Sequence, residues 1–152
     1  MTTNWKSIPA PGSYADLYAH YGDPRTPNFE ATYIVTHAHE VGGHMVNIAC
    51  HVAIEDRLHL VFADLIASGH IGLLHTFDGS FVVRTIRGAS NPSLHSWGLA
   101  MDFNAATNRL GATPTMPAEV VAAFKAHGFV WGGDFNHRKD GMHFQFTQPH
   151  TI

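Results

Sequence analysis

The chain has 152 residues, 45% of them hydrophobic and 14% charged, with a formal charge of −3. That length suits one domain with a sizeable core, the hydrophobic content excludes a disordered chain, and so little positive charge excludes an obvious footprint for nucleic acid or anionic membrane surfaces. The single cysteine, Cys50, has no partner for an intramolecular disulfide and is expected as a core thiol, while thirteen histidines raise the expectation of a metal site, imidazole being the commonest protein metal ligand.

Residues 1–14 contain no apolar stretch of the kind that a secretory signal requires, and no later run reaches about 18–20 apolar residues. The chain is therefore expected to be soluble as made, in the cytoplasm, without membrane insertion, and its one unit is expected to span 1–152. The Pro/Gly-rich patches Pro9 to Gly12 and Gly22 to Pro27 read as surface loops. Thr32 to Thr36 carries a strand signal, and His37 and His39 alternate after it as an exposed pair on a sheet.

His39 and His44 mimic the helical zinc signature in which two histidines lie four apart, but they lie five apart. A five-residue step turns the second about 140° from the first, and Gly42 and Gly43 oppose a helix. Between Ile48 and Ser68 the residues Val52, Leu58, Val61, Phe62, Leu65 and Ile66 recur at three- and four-residue steps, which predicts an amphipathic helix stopped by Gly69. Ser80 to Ile86 and Leu99 to Phe103 read as strands. Pro117 to His127 reads as a helix with proline in its first turn and Gly128 beyond its end, and Met142 to Phe146 alternates as a strand. The set predicts an α+β fold: a small, mainly antiparallel sheet built towards the second half, with helices packed on one face.

Chemistry concentrates in two segments. His95 and Asp102 lie seven apart, with Gly98 giving the backbone freedom to turn both side chains to one point, and His143 follows at the start of the last strand. Two imidazoles and a carboxylate suit one Zn2+ and leave a fourth tetrahedral position open, as in catalytic sites. Hydrolysis also needs a base that is not a ligand, and Asp140, three residues before His143, is the candidate. Arg84 is placed to steady a developing oxyanion or a substrate carboxylate through its fork of donors, with Arg87 as second choice. Trp97 and Trp131 flank the ligands either as cleft walls or as core, Ser93 either binds substrate or caps the turn, and Asp134 either supports the site or caps a loop. His137 is the one nearby histidine that could close the metal site.

The pattern of Ser93, His95, Gly98, Ala100 and Asp102, followed by Asp140 and His143, resembles the zinc motif of the D-Ala-D-Ala carboxypeptidase/L-Ala-D-Glu endopeptidase family, which includes VanY-like carboxypeptidases and phage endolysins. The likeness is clearest from Phe81 to Phe146, with Arg84 and the Arg87–Gly88 turn before the first motif, Asn104 and Asn108 after it, and Gly128 to Phe135 before the second. It implies a hedgehog-like fold and a zinc peptidase acting on peptidoglycan peptides, with His95, Asp102 and His143 on zinc, Asp140 as base and Arg84 on substrate. The short connection from Arg84 to His95 and the run Trp131, Gly132, Gly133, Asp134 resemble the endolysin branch, which favours the endopeptidase. The alternatives are a D-alanyl-D-alanine carboxypeptidase and a non-catalytic zinc-containing binding module. One departure is Gln145, where the family often has Glu. The chain is further expected to act as a monomer that meets the wall after release or export.

Overall fold

The computed structural model describes residues 3–84, 90–150 and 152. Its helices are α1 (Tyr14–His20), α2 (Phe29–Tyr33), α3 (Glu55–Ala67) and α4 (Ala118–Ala126), and its strands are β1 (Ile34–Val41), β2 (His44–His51), β3 (Phe77–Gly79), β4 (Ala100–Phe103), β5 (Val130–Trp131) and β6 (His143–Gln145). β1 and β2 form an antiparallel hairpin, and the other four strands form an antiparallel sheet in the order β3-β4-β6-β5. This is the expected α+β arrangement, with one addition: the β1–β2 hairpin in the first half makes a second sheet.

The register of the central pair sets Met101 opposite Phe144 and Asp102 opposite His143. Side chains alternate across a strand, so Met101 and Phe144 share one face while Asp102, His143 and Gln145 share the other. On the first face Phe144 stacks on Phe124 of α4 with ring centroids 4.0 Å apart, and Phe103 meets both Phe124 and Phe62 of α3. Helices thus cover the apolar face and leave the polar one for chemistry.

Several boundaries differ from expectation for identifiable reasons. The helix expected over Ile48 to Ser68 begins at Glu55, because Ile48 and Cys50 alternate inward as buried residues of β2 and Val52–Ile54 is a 3-10 turn. Ile66, read as part of the apolar row, is exposed. Thr32 and Tyr33 close α2 rather than open a strand. Ser80 to Arg84 joins no strand: Val82 N–H donates to the His95 carbonyl at 3.2 Å, and the Arg84 backbone exchanges bonds with Ser93 and Ser96, so the segment is fastened to the turn that carries His95. Thr85 and Ile86 lie outside the described residues. His39 is buried and stacks on Phe62 at 4.3 Å, and His37 is half-buried against Glu55 at 2.8 Å, so the pair is not an exposed one. The hairpin turn at Gly42 and Gly43 sets His44 opposite Val41 and removes any helix from the His39–His44 segment.

The hairpin is anchored by His51, which is fully buried among Trp5, Tyr21, Phe29 and Tyr33. Its Nε2–H donates to the Tyr21 carbonyl at 3.0 Å while Nδ1 accepts from Ala53 N–H at 3.0 Å, an arrangement that only neutral imidazole can make. Burial pushes its pKa down to about 4, against the pull of the Tyr21 carbonyl. Between about pH 6.5 and 4 the unfolded chain binds a proton that the native state refuses, so this contribution is fully present above pH 6.5 and is lost as pH falls towards 4. Urea unfolding should therefore show stability dropping by about 1.4 kcal/mol per pH unit across that window on account of His51. The slope should be shallower by that amount in His51→Gln.

Candidate metal centre

Three segments deliver the donor atoms. His95 sits in the 3-10 turn Leu94–Trp97, which ends at Gly98 with φ of 70°. A Cβ at Gly98 would lie 2.7 Å from the His51 backbone nitrogen, the same nitrogen whose hydrogen bonds to the Gly98 carbonyl at 2.9 Å. Positive φ and close backbone approach together require glycine here. From that point the chain enters β4, which presents Asp102, and Asp102 faces His143 across the β4–β6 pair.

His95 and His143 use different ring nitrogens. The His95 Nδ1–H donates to the Ser80 carbonyl at 2.7 Å, which leaves Nε2 towards Asp102 Oδ2 at 3.3 Å. His143 Nε2–H donates to Gln145 Oε1 at 2.7 Å, which leaves Nδ1 towards Asp102 Oδ1 at 3.1 Å. Gln145 is itself fixed, because its amide N–H groups donate to Thr147 Oγ1 at 2.9 Å and to the Ile152 carbonyl at 3.2 Å. Gln145 thus contacts the second histidine through its amide oxygen. Burial raises the pKa of Asp102, but whenever the inward nitrogens of His143 and His95 carry protons they donate to it, which outweighs burial and holds the carboxyl well below the usual range.

One donor atom from each of His95, Asp102 and His143 lies within 4.8 Å of the others, and among the described residues no other group of three or more His, Cys, Asp or Glu converges in this way. The donor set fits a catalytic Zn2+: two imidazole nitrogens, one ionised carboxylate and, among the described residues, no fourth protein ligand. His137 is exposed and does not join the group, and Cys50 is a buried core thiol in β2 whose pKa burial raises to about 12. The triad is consistent with a zinc metallopeptidase active site.

Around the triad lies a cavity of about 370 Å³ lined by Arg84, Ser93 and Asp140 together with Tyr14, Phe135 and Ile152. Asp140 Oδ2 is 3.9 Å from His143 Nδ1, and burial raises the Asp140 pKa despite the opposing pull of His143. Gly132, whose carbonyl accepts from Asp140 N–H at 3.0 Å, leaves no room for a Cβ against the Asp140 carbonyl, so this aspartate is held at its backbone. Three buried side-chain polar atoms among the described residues lack a hydrogen-bond partner: Tyr14 Oη, Ser93 Oγ and Asp140 Oδ1. All three belong to this one cavity, whereas buried polar atoms elsewhere in native proteins are almost always paired.

The two tryptophans are placed elsewhere. Trp97 is fully buried, packs on Tyr14 and Tyr18 and donates its indole N–H to the Gly22 carbonyl at 2.8 Å, so it is core and not a cleft wall. Trp131 donates to the Gly141 carbonyl and lines a separate depression with Met116 and Val121. Arg87 lies outside the described residues. Asp134 pairs with Lys125 at 2.6 Å, and Asn104 and Asn108 clamp loops by bonding the backbone at Leu73 to Thr76 and at Thr115. Tyr14 belongs to no motif, and its place in the site had no sequence signal beyond Ser13, a good helix cap, beside it.

A family model described as D-alanyl-D-alanine carboxypeptidase matches residues 87–146. The match takes in His95, Asp102, Asp140 and His143 but neither Tyr14 nor Arg84. No solved structure matches the chain.

Outer partners of metal ligands set tautomer and orientation, and losing one typically weakens metal affinity about 10–100-fold. Gln145→Ala should raise the zinc dissociation constant by about that factor in competition with a chromophoric chelator, with the circular dichroism spectrum retained.

Proposed function

We propose that this chain is a zinc-dependent peptidase that cuts peptidoglycan stem peptides and releases their terminal D-alanine. The observation that carries the reading is Asp140: a half-buried carboxyl beside the three metal donors, not one of them, with one buried oxygen unpartnered in the cavity they share. A non-catalytic binding module has no use for such a group.

Zinc, when bound, would supply Lewis acidity, polarising the scissile carbonyl and making a water acidic near neutral pH. Asp140 accepts the proton of the attacking water at its free oxygen and passes it to the departing amine. Arg84, at the cavity mouth and paired with no carboxylate among the described residues, holds the substrate's terminal carboxylate, and Ser93 adds a hydroxyl beside it. His95, Asp102 and His143 hold the single Zn2+.

Choosing the carboxypeptidase replaces the endopeptidase expected from the short connection between Arg84 and His95. The description of the matching family model supports that choice, and Arg84 on the same cavity is a suitable partner for the terminal carboxylate of such a substrate. Access to the wall by release or export, and action as a monomer, remain part of the proposal. Among the described residues no helix is long and apolar enough to cross a membrane.

The test is hydrolysis of purified peptidoglycan and of a stem pentapeptide by zinc-loaded protein, with released ends identified by mass spectrometry. Wild type should liberate D-alanine, and Asp140→Ala should retain about one zinc while losing about 10²–10⁴ of the rate. New L-alanine and D-glutamate termini would assign the endopeptidase instead. Intact peptides with zinc in place would leave a binding module.

A further inference from the structure

Tyr14, on the cavity that holds the triad, is a polar residue that neither motif supplies. Tyr14 opens α1, and its position is set without help from its own hydroxyl. Ser13 caps the helix by accepting from Asp16 N–H at 3.1 Å, and Asp16 reaches back to Gly12 N–H at 2.9 Å. The preceding segment is tied to the exit of β6, where Gln148 N–H donates to the Pro11 carbonyl at 3.0 Å and its side chain donates to the Ala10 carbonyl at 3.1 Å. The Tyr14 ring lies 6.0 Å from that of Trp97, inside the turn segment that carries His95. The ring is therefore held from three sides while its buried hydroxyl bonds to nothing.

An unpaired buried hydroxyl is costly unless something arrives to pair with it. Burial and the neighbouring Tyr18 raise its pKa, so it remains a proton donor at any pH at which the protein would work. Ser93, whose hydroxyl is likewise buried and unpartnered, and Arg84 line the same cavity. Three residues with donor groups on one cavity suit an acceptor-only partner, and an ionised carboxylate is that partner.

We infer that Tyr14 is a substrate-binding residue whose hydroxyl donates a hydrogen bond to the terminal carboxylate of the peptide, alongside Ser93 and Arg84. The inference rests on the carboxypeptidase reading above and adds a specificity contact from outside the matched segment. Phe135 and Ile152 on the same cavity give the methyl group of the terminal residue an apolar surface.

The experiment is calorimetric titration of zinc-loaded Asp140→Ala, which removes turnover, and of the same protein with Tyr14→Phe added. Each is titrated with a D-Ala-D-Ala-terminated peptide as free acid and as C-terminal amide. Tyr14→Phe keeps the ring against Trp97, so zinc content and melting temperature should not fall. It should weaken the free acid about tenfold and the amide less than twofold, because only the carboxylate accepts a charge-assisted bond. An unchanged affinity for the free acid, or an equal loss for both peptides, would overturn the role of Tyr14 while leaving the peptidase intact. Failure of the zinc-loaded parent to bind either peptide would overturn both.

Discussion

Everything about the site depends on the antiparallel register that sets Asp102 of β4 directly across from His143 of β6. Partners across an antiparallel pair have adjacent Cβ atoms on one face, so this register alone brings two donors 41 residues apart into contact. A slip by one residue would turn Asp102 towards the helices and Met101 into the cavity. The apolar face prevents it: Phe144 stacked on Phe124, with Phe103 between Phe124 and Phe62, allows only one seating of the strand. The geometry of the metal donors is thus enforced from the opposite side of the sheet, by aromatic packing that never touches them.

The third donor reaches the same point by another route. His95 is on no strand, and its orientation is fixed by the carbonyl of Ser80, the residue that follows β3, and by the Gly98 turn lodged against the hairpin at His51. Two histidines that share a carboxylate therefore present opposite ring nitrogens to it, each because its other nitrogen is engaged elsewhere, by a main-chain carbonyl in one case and a side-chain amide in the other. Pre-engaged outer nitrogens mean that little reorganisation is left for the metal to impose.

The identities of the donors were legible in the sequence because ligation admits few residue types and the spacing of His95, Asp102, Asp140 and His143 is distinctive. The tautomers were not, since they depend on Ser80 and on the amide of Gln145, which spacing cannot orient. The start of α3 was misread because Ile48, Cys50 and Val52 fit a strand's alternation while Val52 and the residues after Glu55 fit a helix's period, and only pairing with β1 decides between them. Trp97 was ambiguous because a large aromatic beside a ligand serves equally as wall or as core. Tyr14 was invisible: no pattern links it to residues eighty positions later, and only the fold places its hydroxyl in their cavity.

The close backbone seat of Gly98 against His51 also bears on how portable this chemistry is. The segment that matches a known family carries His95, Asp102 and His143 together with Asp140. Yet the surface against which its first turn is moulded, the carbonyl that orients its first histidine and the aromatic hydroxyl of its cavity all come from the chain before it. Grafted into another scaffold, residues 87–146 would bring the donor atoms without the frame that aims them. Divergence in the first half of the chain is accordingly limited less by the substrate than by the main-chain contour that the His95 turn must fit.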